Sequence, residues 1–207
     1  MHHHPQSVQF ILRLFKVAVL SSILFLLLAM PFFSPVFSQN QSSPIKLVAF
    51  GDSLTAGYLL KNKDSFPEQL SVALAKLGIE VEIMNSGVSG DTTADGLERL
   101  EWAVPQNTEA VILELGANDA LRGQPPEQAK NNLEKIITQL QKKNIEILLT
   151  GMKSPKNWGE DYAKTFDAIF EDLAKKYHLL LYPFFLEGVA LNSSLVLADG
   201  LHPNGQG

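Results

Sequence analysis

Ser53 lies directly after the apolar run Ile45–Phe50, in Phe50-Gly51-Asp52-Ser53-Leu54-Thr55-Ala56-Gly57. Asp199-Gly200-Leu201-His202 stands near the far end of the 207-residue chain. A serine, a carboxylate and a histidine are the minimum set for acyl transfer through a covalent intermediate. Between them come a glycine turn, Gly87-Val88-Ser89-Gly90-Asp91-Thr92, and an asparagine loop, Gly116-Ala117-Asn118-Asp119. Segments of this kind can supply hydrogen-bond donors to the charge that develops on a substrate carbonyl oxygen. On position alone, Ser53 suits the capping of a helix as well as it suits catalysis. The histidine is found by elimination. Of five, three follow Met1 and have no assigned role, which leaves His178 and His202. His178 follows Lys175-Lys176-Tyr177 at a predicted helix end, an ordinary place for a cation. His202 sits in a loop marked by Gly200 and Pro203, three residues after Asp199, so one short loop can hold the imidazole against its carboxylate. Zinc is not expected, with no cysteine and no second candidate histidine beside His202. No cofactor is expected.

The elements that must position these residues alternate between two patterns. Ile45–Phe50, Val81–Met84, Val111–Leu115, Ile145–Leu149 and Leu179–Tyr182 are short, mostly apolar runs, as in parallel strands covered on both faces. Between them lie helical stripes. Phe66, Leu70, Leu74 and Leu77 form one, with Ser65 and Glu68 spaced as a capping box. Ala129, Leu133, Ile136, Ile137 and Leu140 form a second. Tyr162, Phe166, Ile169, Phe170, Leu173 and Tyr177 form a third. This alternation predicts an α/β fold, an open and mostly parallel five-stranded sheet with helices on both sides. Ligands of such sheets bind beyond the carboxyl ends of the strands. Ser53, Gly90 and Asn118 all follow predicted strands by a few residues, so the topology would bring them to one edge.

Residues 1–38 read as a secretory signal peptide. Arg13 and Lys16 precede the apolar Val17–Met30, and Val36-Phe37-Ser38 offers small residues for cleavage before Gln39. The alternative is an uncleaved anchor, for which Val17–Phe37 is just long enough. Residues 39–44 form a polar spacer, and 45–207 are long enough for one domain with a sizeable core. Gln39–Gly207 carries all 22 acids and 15 of the 17 Lys and Arg, a formal charge of −7 with no basic run. That balance argues against a nucleic-acid partner. The absence of cysteine excludes a lipid-anchored lipoprotein, disulfides and thiol catalysis.

Four blocks then resemble the GDSL or SGNH hydrolases: Gly51-Asp52-Ser53-Leu54, Gly87–Thr92, Gly116–Asp119 and Asp199-Gly200-Leu201-His202-Pro203. Leu113–Gly123 and Pro183-Phe184-Phe185 are similar to the branch of bacterial periplasmic thioesterases, lysophospholipases and arylesterases. The resemblance implies a flavodoxin-like three-layer α/β/α sandwich and a triad of Ser53, His202 and Asp199. It implies oxyanion donors from the Ser53 and Gly90 N–H groups and the Asn118 amide. Taken without the resemblance, Gly90 serves equally as a turn glycine and Asn118 as a loop cap. It places Ala120, Leu121, Arg122 and Gly123 along the acyl chain. Asp52, Asp91 and Asp119 are expected to brace loops. The implied substrates are small-molecule acyl esters or thioesters, handled by a monomer in the periplasm or medium. Carbohydrate O-acetylesterases, acyltransferases and a non-catalytic binding protein are the alternatives on the same fold. Related chains continue into a closing helix beside the histidine loop. Ending at Gly207 without it, the chain is expected to leave sheet surface uncovered and His202 near a fraying terminus.

Overall fold

The structure is a computed structural model and describes residues 43–207. The proposed signal segment and nearly all of the spacer lie outside the described residues.

Five strands form the sheet: β1 (Ile45–Gly51), β2 (Val81–Gly87), β3 (Ala110–Glu114), β4 (Glu146–Thr150) and β5 (Leu180–Tyr182). Their order is β2-β1-β3-β4-β5, and every pairing is parallel. This is the doubly wound order in which the chain reverses direction across the sheet between β1 and β3. The helices are α1 (Ser53–Ala56), α2 (Phe66–Lys76), α3 (Thr93–Ala103), α4 (Ala117–Leu121), α5 (Pro126–Lys142) and α6 (Glu160–Tyr177).

Strand alternation sorts the residues onto two faces. Val48 and Phe50 of β1 are in register with Val111 and Leu113 of β3, which pair with Ile147 and Leu149 of β4. These six side chains form the principal core with Leu100 and Ala103 of α3 and the buried stripes of α5 and α6. The α5 stripe predicted from sequence is buried without exception, and in α6 only the flanking Tyr162 and Tyr177 keep partial exposure. The opposite face carries Ala49, Ile112, Leu148 and Thr150, and faces α2 and the segment 185–207 across a cleft. Between these lies a cavity of about 460 Å³ bounded by Phe66, Leu70, Leu148, Phe185, Ser53 and His202.

Four local details differ from the sequence reading. Ser65 makes no capping bond to α2; its hydroxyl donates to the Asn62 carbonyl instead. Pro67 in the first turn already removes one of the N–H groups a cap would serve. Leu77 is exposed, because α2 ends at Lys76 and the stripe does not continue beyond it. Helix α3 is absent from the sequence reading, although it has a true capping box: the Thr92 hydroxyl accepts from the Asp95 N–H and the Asp95 carboxylate from the Thr92 N–H. Strand β2 also runs three residues further than predicted. Its Asn85, Ser86 and Gly87 pair with Ala49, Phe50 and Gly51, and an edge strand tolerates such polar residues.

Candidate active site

Strand β1 ends at Gly51, and the chain turns at once into the single-turn helix α1 with Ser53 at its first position. Asp52 caps that turn, its Oδ1 accepting the Leu54 N–H at 3.0 Å. Gly51 has no room for a side chain, since a Cβ there would stand 2.2 Å from Thr55 Oγ1 and 2.4 Å from Glu114 Oε2. Ser53 is thereby fixed at the carboxyl edge of the sheet, next to the point where the strand order reverses.

The histidine arrives from the other end of the chain. Residues 195–204 fold back on themselves, with Leu197 N–H donating to the His202 carbonyl and Asn204 N–H to the Leu195 carbonyl. Within that turn, Asp199 Oδ1 accepts the Leu201 and His202 N–H groups at 2.9 and 3.0 Å. Its Oδ2 lies 2.7 Å from His202 Nδ1. A carboxylate only accepts, so Nδ1 carries the proton and Nε2 is left as an acceptor. His202 Nε2 is 2.9 Å from Ser53 Oγ. The two backbone bonds from His202 and Leu201, then the imidazole itself, hold the Asp199 carboxyl down at about 2. The Tyr58 ring packs 4.6 Å from the imidazole and limits its rotation.

The other predicted residues gather on the same edge. Gly90 has φ +92, a left-handed conformation that a side chain would strain. Among the described residues, no acceptor is paired with the backbone N–H of Ser53 or Gly90. Asn118, in α4 past the end of β3, donates from Nδ2 to Asp52 Oδ2 at 3.1 Å and to the Asp91 carbonyl at 3.0 Å. Both of its N–H bonds are therefore engaged, and a substrate oxyanion would have to replace the carbonyl. Of the four residues expected along the acyl chain, Leu121 presents an exposed apolar side chain. Ala120 is buried, Arg122 donates to the Gly90 carbonyl at 2.8 Å, and Gly123 lies under the Trp158 ring. Trp158 itself donates from Nε1 to the Ala120 carbonyl at 2.9 Å. His178 caps the end of α6, away from this edge of the sheet.

Several residues hold the site together that sequence reasoning did not single out. Buried Arg99 of α3 donates from Nε to Asp91 Oδ2 at 2.5 Å and from Nη2 to the Gly51 carbonyl at 2.9 Å. Its guanidinium lies 4.1 Å over the Phe50 ring. It thus ties the glycine turn to the end of β1. An arginine on the same helix face as Gly96, Leu100 and Ala103 was the available signal. Asp119 braces the start of α3, accepting from the Thr93 N–H at 2.9 Å and its hydroxyl at 2.6 Å. Asp91 and Asp52 likewise accept bonds that fix loops. Glu114, the last residue of β3, accepts the Thr55 hydroxyl at 2.7 Å and the Asp52 N–H at 3.2 Å.

The chain has recognisable relatives. The family model described as "GDSL-like Lipase/Acylhydrolase family" matches residues 49–207. An arylesterase of Vibrio mimicus is 39% identical over 178 residues, spanning 86% of this chain and 88% of its own. The Escherichia coli K12 protein named thioesterase 1/protease 1/lysophospholipase L1 is 38% identical over 159 residues, 76% of this chain and 75% of its own. Among solved structures, the SGNH-hydrolase family esterase AlinE4 superposes with a TM-score of 0.74 at 46% identity, covering 80% of this chain and 89% of that one.

Proposed function

The chain belongs to the GDSL-like lipase/acylhydrolase family, and from that premise we propose that it hydrolyses carboxylic esters and thioesters with Ser53 as nucleophile. The observation that carries this reading is the continuous relay Ser53 Oγ–His202 Nε2 at 2.9 Å and His202 Nδ1–Asp199 Oδ2 at 2.7 Å.

Ser53 Oγ attacks the substrate carbonyl carbon while His202 Nε2 takes the hydroxyl proton. Asp199, ionised throughout, stabilises the imidazolium and keeps its tautomer. The carbonyl oxygen becomes an oxyanion, received by the Ser53 and Gly90 N–H groups and by the Asn118 amide as it leaves the Asp91 carbonyl. Collapse expels the alcohol or thiol with the proton returned from His202. Water, activated by the same imidazole, then releases the acid from the acyl-enzyme.

The relatives' names, arylesterase and thioesterase/lysophospholipase, favour aryl esters, acyl thioesters and single-chain lipid esters as substrates. Exposed Leu121 fits an apolar acyl group, although one leucine sets no chain length. The signal-like residues 1–38 make a periplasmic or secreted location part of the proposal. Labelling with a fluorophosphonate probe tests the reading. The folded protein should label, Ser53→Ala should not, and the labelled protein should have lost its release of free acid from an aryl ester. A folded wild-type chain that resists the probe and releases no acid sinks the assignment.

A further inference from the structure

Glu114 is the buried acid to which ester chemistry gives no task. It ends β3 with no exposed surface. Its Oε2 accepts the Thr55 hydroxyl and the Asp52 N–H, whereas among the described residues no donor reaches Oε1. Asp52, equally devoid of exposed surface, accepts from Leu54 on one oxygen and from Asn118 on the other. The titratable and charged groups around this pair are His202 and the Arg99–Asp91 ion pair. Arg99 directs its donors at Asp91 and the Gly51 carbonyl, so among the described residues no cation bonds to either Glu114 oxygen. Ionising both acids would put two like charges side by side in a buried interior, one with an oxygen that no donor reaches. Neighbouring carboxyls in such a setting do not both ionise; one keeps its proton.

The surroundings decide which one. Burial, then the charge of Asp52, pushes Glu114 well above the usual carboxylate range. Burial also raises Asp52, to about 6, but the Leu54 N–H, the Asn118 amide and a hydrogen bond from Glu114 oppose it. Asp52 is therefore the acid that ionises at neutral pH, and Glu114 the one that donates.

We propose that Glu114 is a positioning residue carried as a neutral carboxylic acid, which keeps Asp52 ionised and turned toward Asn118. One N–H of the Asn118 amide stays anchored on Asp52 Oδ2, and the other is aimed at the place where it exchanges the Asp91 carbonyl for the oxyanion. The inference rests on the oxyanion role read for Asn118, so its first test does not involve catalysis. Infrared difference spectroscopy of the full chain against Glu114→Gln at neutral pH should show the carbonyl stretch of a protonated acid. A carboxylate signal in its place overturns the proposal.

Kinetics on an aryl ester supply the second test. Glu114→Gln preserves both an acceptor oxygen and a donor N–H, so kcat and the acid limb of its pH profile should stay where they are. Glu114→Leu removes both. It should lower kcat about tenfold at constant KM, a share of what one oxyanion donor is worth, and move the acid limb to higher pH. A purely structural role would lower the melting temperature and leave that limb in place, which would overturn the inference. In an Asn118→Ala background Glu114→Leu should cost no further kcat. If Asn118→Ala itself leaves kcat unchanged, the oxyanion reading and the positioning role fall together, while the infrared band still reports the proton.

Discussion

Asp199 stands in a loop with its side chain 36% exposed, and its carboxyl is held down at about 2. Asp52 and Glu114, on the seam between β1 and β3, have no exposed surface and are both pushed up, Asp52 to about 6. The contrast follows from where each carboxyl finds its donors. Asp199 takes two backbone N–H groups and an imidazole from its own four-residue turn and keeps water on its free side. The seam pair is out of reach of bulk water and has neutral donors in its place. A charge is inexpensive to hold on the wet loop, and the ionised member of the proposed relay sits there. Orientation is best fixed in the dry seam, where bonds are strong and side chains cannot swing. On the proposed mechanism the site divides its labour: the loop supplies charge and proton transfer, and the seam aims the donors.

The largest expected effect falls on the loop side of that division. Ser53→Ala or His202→Ala should lower kcat by about 10⁴–10⁶-fold, the range for losing a member of a serine relay. Circular dichroism and melting temperature should change little. A much smaller loss in either variant would mean that the 2.9 Å contact does not carry the proton.

Next comes the seam's structural brace. Arg99 and Asp91 form an ion pair with side chains 7% and 11% exposed. Arg99→Met leaves Asp91 buried without its partner, which should cost about 3–5 kcal/mol of stability in a urea titration. A loss below about 1 kcal/mol would place the pair with the weak surface bridges and weaken the contrast between the two regions.

Asn118→Ala sharpens the comparison on the rate side. Removing one oxyanion donor should reduce kcat by about 10²–10³-fold at nearly constant KM. A rise in KM with kcat intact would make Asn118 a substrate-binding residue, and the seam would then aim nothing.

The sequence makes the loop side more legible than the seam. Ser53, Gly90, Asn118, Asp199 and His202 all stand out by residue type at turns after apolar runs, and a doubly wound sheet can bring such turns to one edge. The stripes of α5 and α6 also read cleanly, because an amphipathic period over several turns is a strong signal. Glu114 does not, since the Thr55 hydroxyl it accepts is 59 positions away and only the pairing of β1 with β3 brings them together. Arg99 is similarly hidden, because an arginine reads as solvent-facing until its partners are known. Helix α3 is as long as α2, but its polar Thr92-Thr93-Ala94-Asp95 start reads as loop. The Ser65–Glu68 spacing misled in the opposite sense, for a motif that matches a cap can be served by a nearer carbonyl.

The smallest predicted effect separates the two regions by sign. Asp52 and Glu114 bind their protons more tightly folded than unfolded. The stability they contribute is therefore full below their ordinary values of 3.8 and 4.5, and drains away as pH rises, for Asp52 through about 6. Asp199 behaves in reverse: its contribution is present above 3.8 and is lost as pH falls through about 2. Glu114→Gln cannot take up the seam proton. Its stability relative to wild type should therefore improve with pH from about 4.5 upward, by up to about 1.4 kcal/mol per pH unit. Asp199→Asn should instead show a deficit that is flat from about pH 5 to 8 and closes only in strong acid. Urea titrations of both variants at several pH values measure the two slopes. Parallel slopes would mean that loop and seam hold their carboxyls alike; opposite ones would place the neutral acid in the seam and the permanent charge in the loop.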